Sequence, residues 1–246
     1  AHGAAVNRPN DISSALRTLS KKTVLNLGFS GNGPLSEYGS LREYLRPNVK
    51  KIIWLYYEGN DLINLKGELS NKILKKYLNN LTFSQNLKLK QKKIDEIVKK
   101  EIIYHQKSKK AIVEKNKKKE IISEIKYFLK LSKLRLALIP EPSPFKEFTK
   151  ILMLAKNLAT KNNSKLYLVY LPTYARYKEN FNDKNYKNIK NISKELDLHF
   201  IDIHEDLFNK ESNPLVFFPF ELPGHYNVEG YRKISEMIYN YTKNEN

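Results

Sequence analysis

The sequence predicts an α/β fold built on a parallel sheet. Four short runs rich in β-branched and aromatic residues, each bounded by turn formers, read as buried strands: TVLNL (23–27), KIIWLYY (51–57), KLYLVYL (165–171) and LHFIDI (198–203). Helical patterns separate them, and strands that alternate with helices make a parallel sheet. The 246 residues are 41% apolar, which suits one large domain or two small ones and is too apolar for a disordered chain.

The helices follow in order. DISSALRTLS (11–20) opens with Asn10 or Asp11 as N-cap, and SEYGSLREYL (36–45) follows Pro34. KEFTKILMLAKNLATK (146–161) places Phe148, Leu152, Ala155 and Leu158 on one stripe. NVEGYRKISEMIYNYT (227–242) places Ile234, Ile238 and Tyr241 on one side. The stretch 66–138 breaks the alternation, being Lys-rich and strandless. Ile94, Ile97, Val98 and Ile102 keep helical spacing there, as do Ile121, Ile125, Phe128 and Leu129. We expect a single domain over 1–246, carrying an inserted pair or trio of amphipathic helices over 66–144 that the proline-rich PEPSP (140–144) ends.

The formal charge is +18, and residues 66–135 hold 21 Lys and Arg against 7 Asp and Glu. A solvated helical face is the plain reading of that segment. A membrane surface or another polyanion is the next. Nucleic acid is not expected as a partner, because the lysines lack the interleaved aromatics of a single-strand binder. With no cysteine, the chain has no disulfide, thiolate zinc site or Cys nucleophile. The five histidines show no metal-ligand spacing and no H-E-x-x-H, and Gly28, Gly31 and Gly33 do not form a dinucleotide fingerprint. No metal or cofactor is therefore expected. No apolar run reaches the roughly 18 residues of a membrane span.

In parallel α/β sheets ligands bind outside the carboxyl ends of the strands. That rule selects the loops 28–35, 58–64 and 172–178 and the stretch after 203. In NLGFSGNGP (26–34), Gly31 or Asn32 can aim a backbone N–H at a developing oxyanion, although a plain turn has the same composition. In YYEGNDL (56–62), Asn60 is a neutral donor that does not titrate, with Asp61 placed to orient the loop. Arg176, in LPTYARY (171–177), fits an ion-pair partner better than an anion binder. His225, in LPGHYNVEGY (222–231), lies in a Gly/Pro loop before the last helix, where its ordinary pKa suits a general base.

The order of these blocks resembles the SGNH (GDSL-type) hydrolases. GFSGNG resembles that family's glycine block, EGND its asparagine block, and GHYNVEGY its histidine block, with Asn227 and Gly230 in the usual following positions. The resemblance spans 26–61 and 165–242 and leaves the insertion unexplained. It implies a three-layer, flavodoxin-like parallel sheet of order 2-1-3-4-5. It also implies an oxyanion hole from Gly31 and Asn60, and His225 as base, with Asp61 and Asn227 in support.

Three features depart from the family pattern. The Gly-Asp-Ser block is absent, and AHGAAVNRPNDI resembles the text that follows it. The nucleophile and the first strand are therefore expected upstream of residue 1, which leaves the 246 residues poorly stable and inactive. Ser30 and Ser36 lack the strand-end position of a nucleophile. The family's acid three residues before the histidine is Leu222 here, which leaves Glu221 or Asp202 to orient His225, or a Ser–His dyad. Glu58 replaces the glycine of the asparagine block.

The resemblance implies hydrolysis of O-acyl esters, free or glycan-linked, through an acyl-enzyme. Two other readings stay open: an O-acetyltransferase acting on a cell-envelope or secreted glycan, and a non-catalytic basic scaffold for a polyanion or membrane surface. Membrane association would run through an N-terminal segment upstream or through the basic insertion. A periplasmic or membrane-anchored place is favoured over a cytoplasmic one.

Overall fold

The computed structural model describes residue 3, residues 5–113 and residues 143–244, with the backbone alone over 105–113. The elements run α1 (Ile12–Ser20), α2 (Pro34–Tyr44), β1 (Lys51–Tyr57), α3 (Asp61–Glu68), α4 (Lys72–Asn79), α5 (Gln91–Val113), α6 (Phe145–Lys161), β2 (Lys165–Leu171), α7 (Lys184–Glu195), β3 (His199–Asp202), α8 (Ile203–Asp206) and α9 (Val228–Thr242). Single 3-10 turns cover 174–177, 208–210, 214–217 and 219–221.

The three strands form one parallel sheet in the order β1-β2-β3. Tyr57 pairs with Leu171, and Asp202 pairs with Tyr170 one rung earlier, so all three strands end nearly in step. Successive side chains point to opposite faces. Ile52, Trp54 and Tyr56 join Leu166, Leu168 and Tyr170 in a core closed by α2, α6 and α7. On the other face Tyr167, Val169, Leu171 and Ile201 pack under Ile12 and Leu16 of α1 and Ile234 and Ile238 of α9. β2 is buried on both faces after its first residue, which is why KLYLVYL reads as an unbroken apolar run. The edge strand β1 alternates buried and half-buried residues.

The helix starts follow ordinary capping chemistry. Asp11 caps α1 by accepting from the Ser14 N–H at 3.0 Å, a contact worth about 1 kcal/mol. Pro34 stands at the first position of α2, where its missing N–H costs nothing. In α9, Ile234 and Ile238 are fully buried as expected, but Tyr241 is exposed and Thr242 is buried in its place.

The structure corrects three expectations. Residues 23–27 form no strand: the Val24 carbonyl accepts from the Arg17 guanidinium at 2.7 and 2.9 Å, not from a strand neighbour. β-propensity makes a strand only beside a partner backbone, and none of the described residues supplies one. The insertion begins later than Lys66. Residues 66–83 belong to the compact α/β unit, where Tyr77 and Leu78 of α4 are buried, and a second unit spans Ser84–Ser143. Within that second unit, α5 carries Ile94, Ile97, Val98 and Ile102. The expected pattern at Ile121, Ile125, Phe128 and Leu129 lies outside the described residues. Finally, two helices were not expected: α3 is only eight residues long and polar residues dominate α7, although Leu62, Leu65, Tyr186, Ile189 and Ile192 are buried.

Candidate active site

The loops that carry Asn60 and His225 meet at Tyr57, the end of β1, and the loop that carries Gly31 is tied to α3, the helix that follows. Phe29–Asn32 forms a turn closed by the Asn32 N–H on the Phe29 carbonyl at 3.2 Å. Gly31 occupies it with φ +86°, a conformation that favours glycine. This turn is tied to α3, because the Asn64 amide donates to the Asn32 carbonyl at 3.3 Å. A Cβ on Gly33 would come within 2.7 Å of the Asn64 Cβ, so only glycine permits this approach.

The Glu68 carboxylate completes the link. It accepts the N–H groups of Gly33 (2.8 Å), Leu35 (2.9 Å) and Ser36 (3.3 Å), capping α2 from another helix. The chain separation of more than thirty residues hides this cap from local sequence patterns.

Asn60 begins α3 yet does not cap it with its side chain. Its amide is exposed and has no hydrogen-bond partner among the described residues. Asp61 next to it is buried and accepts the Tyr57 N–H at 2.8 Å, bracing the turn that presents Asn60. Burial pushes the Asp61 pKa up to about 7, although the Tyr57 N–H pulls the other way. Glu37 of α2 is raised for the same reason, with the Asp61 charge adding to the effect, and its Oε2 is buried without a hydrogen-bond partner among the described residues.

His225 packs its ring on Tyr57, with centroids 5.1 Å apart and planes at 37°. Burial of that side lowers its pKa, so the imidazole is neutral at neutral pH, the form a base requires. Asn227 anchors the loop behind it. Its Oδ1 accepts the Gly230 N–H at 2.9 Å as N-cap of α9, and its Nδ2 donates to the Val216 carbonyl at 2.7 Å. The buried Tyr226 donates to the Pro172 carbonyl, fixing the loop to the end of β2.

Neither expected acid bonds to His225 among the described residues. Asp202 is buried at the end of β3, where it accepts from Tyr186 (2.6 Å) and the Glu205 N–H (3.1 Å) and faces Lys190 at 3.5 Å. Glu221 is exposed, with φ +54°, and its backbone carbonyl accepts from the Tyr174 hydroxyl at 3.0 Å. Leu222 is exposed.

Glu58 and Arg176 meet each other. The Arg176 Nε donates to Glu58 Oε2 at 2.8 Å, its Nη1 to Asp183 at 2.6 Å and its Nη2 to Tyr170 at 3.1 Å. The guanidinium carbon lies over the Phe181 ring at 4.9 Å and over the Tyr186 ring at 4.8 Å from their centroids. This is the structural ion pair, buried on both sides.

No family model, curated protein or solved structure matches the chain significantly.

Sequence reasoning overlooked Tyr57, whose place directly before Glu58 put it in the strand and not in the loop. Its signal was Gly59, where a Cβ would sit 2.5 Å from the Tyr57 ring. A separate cleft of about 390 Å³, lined among others by Leu69, Leu78, Lys146 and Lys150, contains none of Gly31, Asn60 or His225. Among the described residues no three His, Asp or Glu side chains group so as to hold a metal ion.

Proposed function

We propose that this chain carries the base and the oxyanion donors of an SGNH-type serine ester hydrolase. The observation that carries this reading is the state of the polar groups at the end of β1. The Asn60 amide and the His225 ring are exposed there without hydrogen-bond partners among the described residues, on loops that are themselves braced. Acyl transfer needs such groups: a neutral base, and donors fixed before the oxyanion forms. A serine attacks the ester carbonyl, and His225 takes the hydroxyl proton. The Gly31 N–H and the Asn60 amide hold the oxyanion. His225 then returns the proton to the leaving alcohol, and water or a second alcohol resolves the acyl-enzyme.

The nucleophile in this proposal lies on a strand outside the 246 residues, seated beside β1. The order β1-β2-β3 is compatible with strands 3-4-5 of such a sheet, in which strand 1 would stand at the edge of β1. An acyl ester is the substrate class, and transfer to a glycan hydroxyl is the nearest variant.

The test compares the 246-residue chain with the gene product that includes the codons before Ala1, using nitrophenyl acyl esters. Turnover by the longer protein, lost on His225→Ala and absent from the 246 residues, is the expected result. Robust turnover by the 246 residues, or upstream codons without a serine after an apolar strand, sinks the proposal.

A further inference from the structure

A general base needs its ring held in one orientation. His225 has no carboxylate to do this among the described residues, since Asp202 and Glu221 do not bond to it and Leu222 is apolar. Among the described residues, the aromatic ring packed on the imidazole is that of Tyr57, with centroids 5.1 Å apart and planes tilted by 37°.

We propose that Tyr57 is the positioning residue of His225, its ring serving as the platform that orients the imidazole in place of an acid. The inference rests on reading His225 as the base. Tyr57 is itself fixed from several directions. Its N–H is held by the buried Asp61 at 2.8 Å, and its hydroxyl lies 3.4 Å from the Thr173 Oγ1 on the loop after β2. Its ring packs edge-on against Tyr226, the neighbour of His225, with centroids 6.4 Å apart. Gly59 leaves the space the ring occupies: a Cβ there would lie 2.5 Å from its Cε1 and 2.9 Å from its Cζ. A platform locked this way fixes the ring plane by contact area, because aromatic faces prefer tilted or offset packing at such separations. It supplies no negative charge, so the imidazolium formed during reaction is stabilised less than beside a carboxylate.

The device makes the ring face essential and the phenol hydroxyl dispensable. Tyr57→Phe keeps the platform and Tyr57→Leu removes it. Gly59→Ala displaces the ring without altering either partner. The first measurement is the carbon–proton NMR signal of the His225 ring in the full 246-residue chain, assigned with His225→Gln, with a urea midpoint on each variant to confirm folding. Wild type and Tyr57→Phe should show ring-current-shifted His225 signals with cross-peaks to residue 57. Tyr57→Leu and Gly59→Ala should lose the shift. Unchanged His225 signals in Tyr57→Leu overturn the inference.

The second measurement uses the longer, serine-bearing protein. Displacing a catalytic group by about an ångström costs roughly 100-fold, so Tyr57→Leu should lower kcat by roughly 10- to 100-fold. KM should stay within about twofold, because the lost orientation matters only in the transition state. Tyr57→Phe should restore kcat. Equal losses in Tyr57→Phe and Tyr57→Leu, or no loss in either, overturn the platform. If the longer protein itself turns over no ester while the ring contact persists in NMR, the reading of His225 as base has failed, and the platform's catalytic role fails with it.

Discussion

His204 and His225 occupy two ends of the same row of strand termini, and they differ in nearly everything that matters. His204, just past β3, is buried, with both nitrogens engaged: Nδ1 lies 3.1 Å from the Tyr177 hydroxyl and Nε2 lies 3.4 Å from the Arg176 Nη1. A guanidinium can only donate, so Nε2 accepts and the proton sits on Nδ1. Burial and the Arg176 charge both lower its pKa. His225 is exposed, with a ring contact on one side and no hydrogen bond among the described residues. The β2–β3 end spends its polar groups on one another and on Glu58, which reaches across from the end of β1 to join Arg176, Asp183, Tyr170 and His204. Beside β1, Asn60 and His225 stay open toward solvent on a braced frame. A satisfied, buried network holds a fold together; open groups on a rigid support are what a substrate can use.

The sharpest way to break this contrast is at Arg176. Arg176→Met leaves the Glu58 carboxylate buried and unpaired, which should destabilise the protein by about 3–5 kcal/mol in urea unfolding. Adding Glu58→Leu should recover most of that, since replacing both members of a buried pair is often close to neutral. A loss below about 1 kcal/mol for Arg176→Met would show that the network is decoration.

Asn60→Ala should do the reverse. Unfolding should move by no more than about 0.5 kcal/mol, as for a surface side chain without partners. In the serine-bearing protein kcat should fall by roughly 100- to 1,000-fold, the usual cost of an oxyanion donor. A large stability loss with little change in kcat would move Asn60 to the structural side.

Asp61 supports the open end at an electrostatic cost, and pH reads that cost. Its pKa rises from 3.8 to about 7 on folding. Between those values the folded state holds a proton the unfolded chain has released. Stability from this group is therefore full below about pH 4 and declines as pH rises through the folded pKa. Asp61→Asn keeps an oxygen for the Tyr57 N–H and should flatten the decline, seen as a smaller difference in melting temperature between pH 5 and pH 8. An unchanged pH dependence would assign the decline to other groups.

The smallest effect is expected at Asn227. Loss of the N-cap in Asn227→Ala should cost about 1 kcal/mol in urea unfolding. The loop that carries His225 should gain amide exchange. No change in exchange there would mean that Tyr226 holds the loop alone.

The turns that hold Gly31, Asn60 and His225 were legible because Gly, Pro, Asn and Asp leave local marks, and so was Asp11 as a cap. The pairing of Glu58 with Arg176 could not be read, because 118 residues separate them. Asp202 illustrates the opposite error. Its position at a strand end suggested an acid for His225, yet the fold surrounds it with Tyr186, Glu205 and Lys190.

The sequence by itself determined the α/β class, three strands, the places of α1, α2, α6 and α9 and the loops after β1 and β2, because periodicity, caps and turn residues act over a few neighbours. Only the tertiary structure decided that TVLNL is not a strand, that α4 belongs to the core, that Glu68 caps α2 and that Tyr57 rather than an acid meets His225. Those outcomes depend on which distant backbone or side chain arrives alongside, and residue order carries no local trace of that.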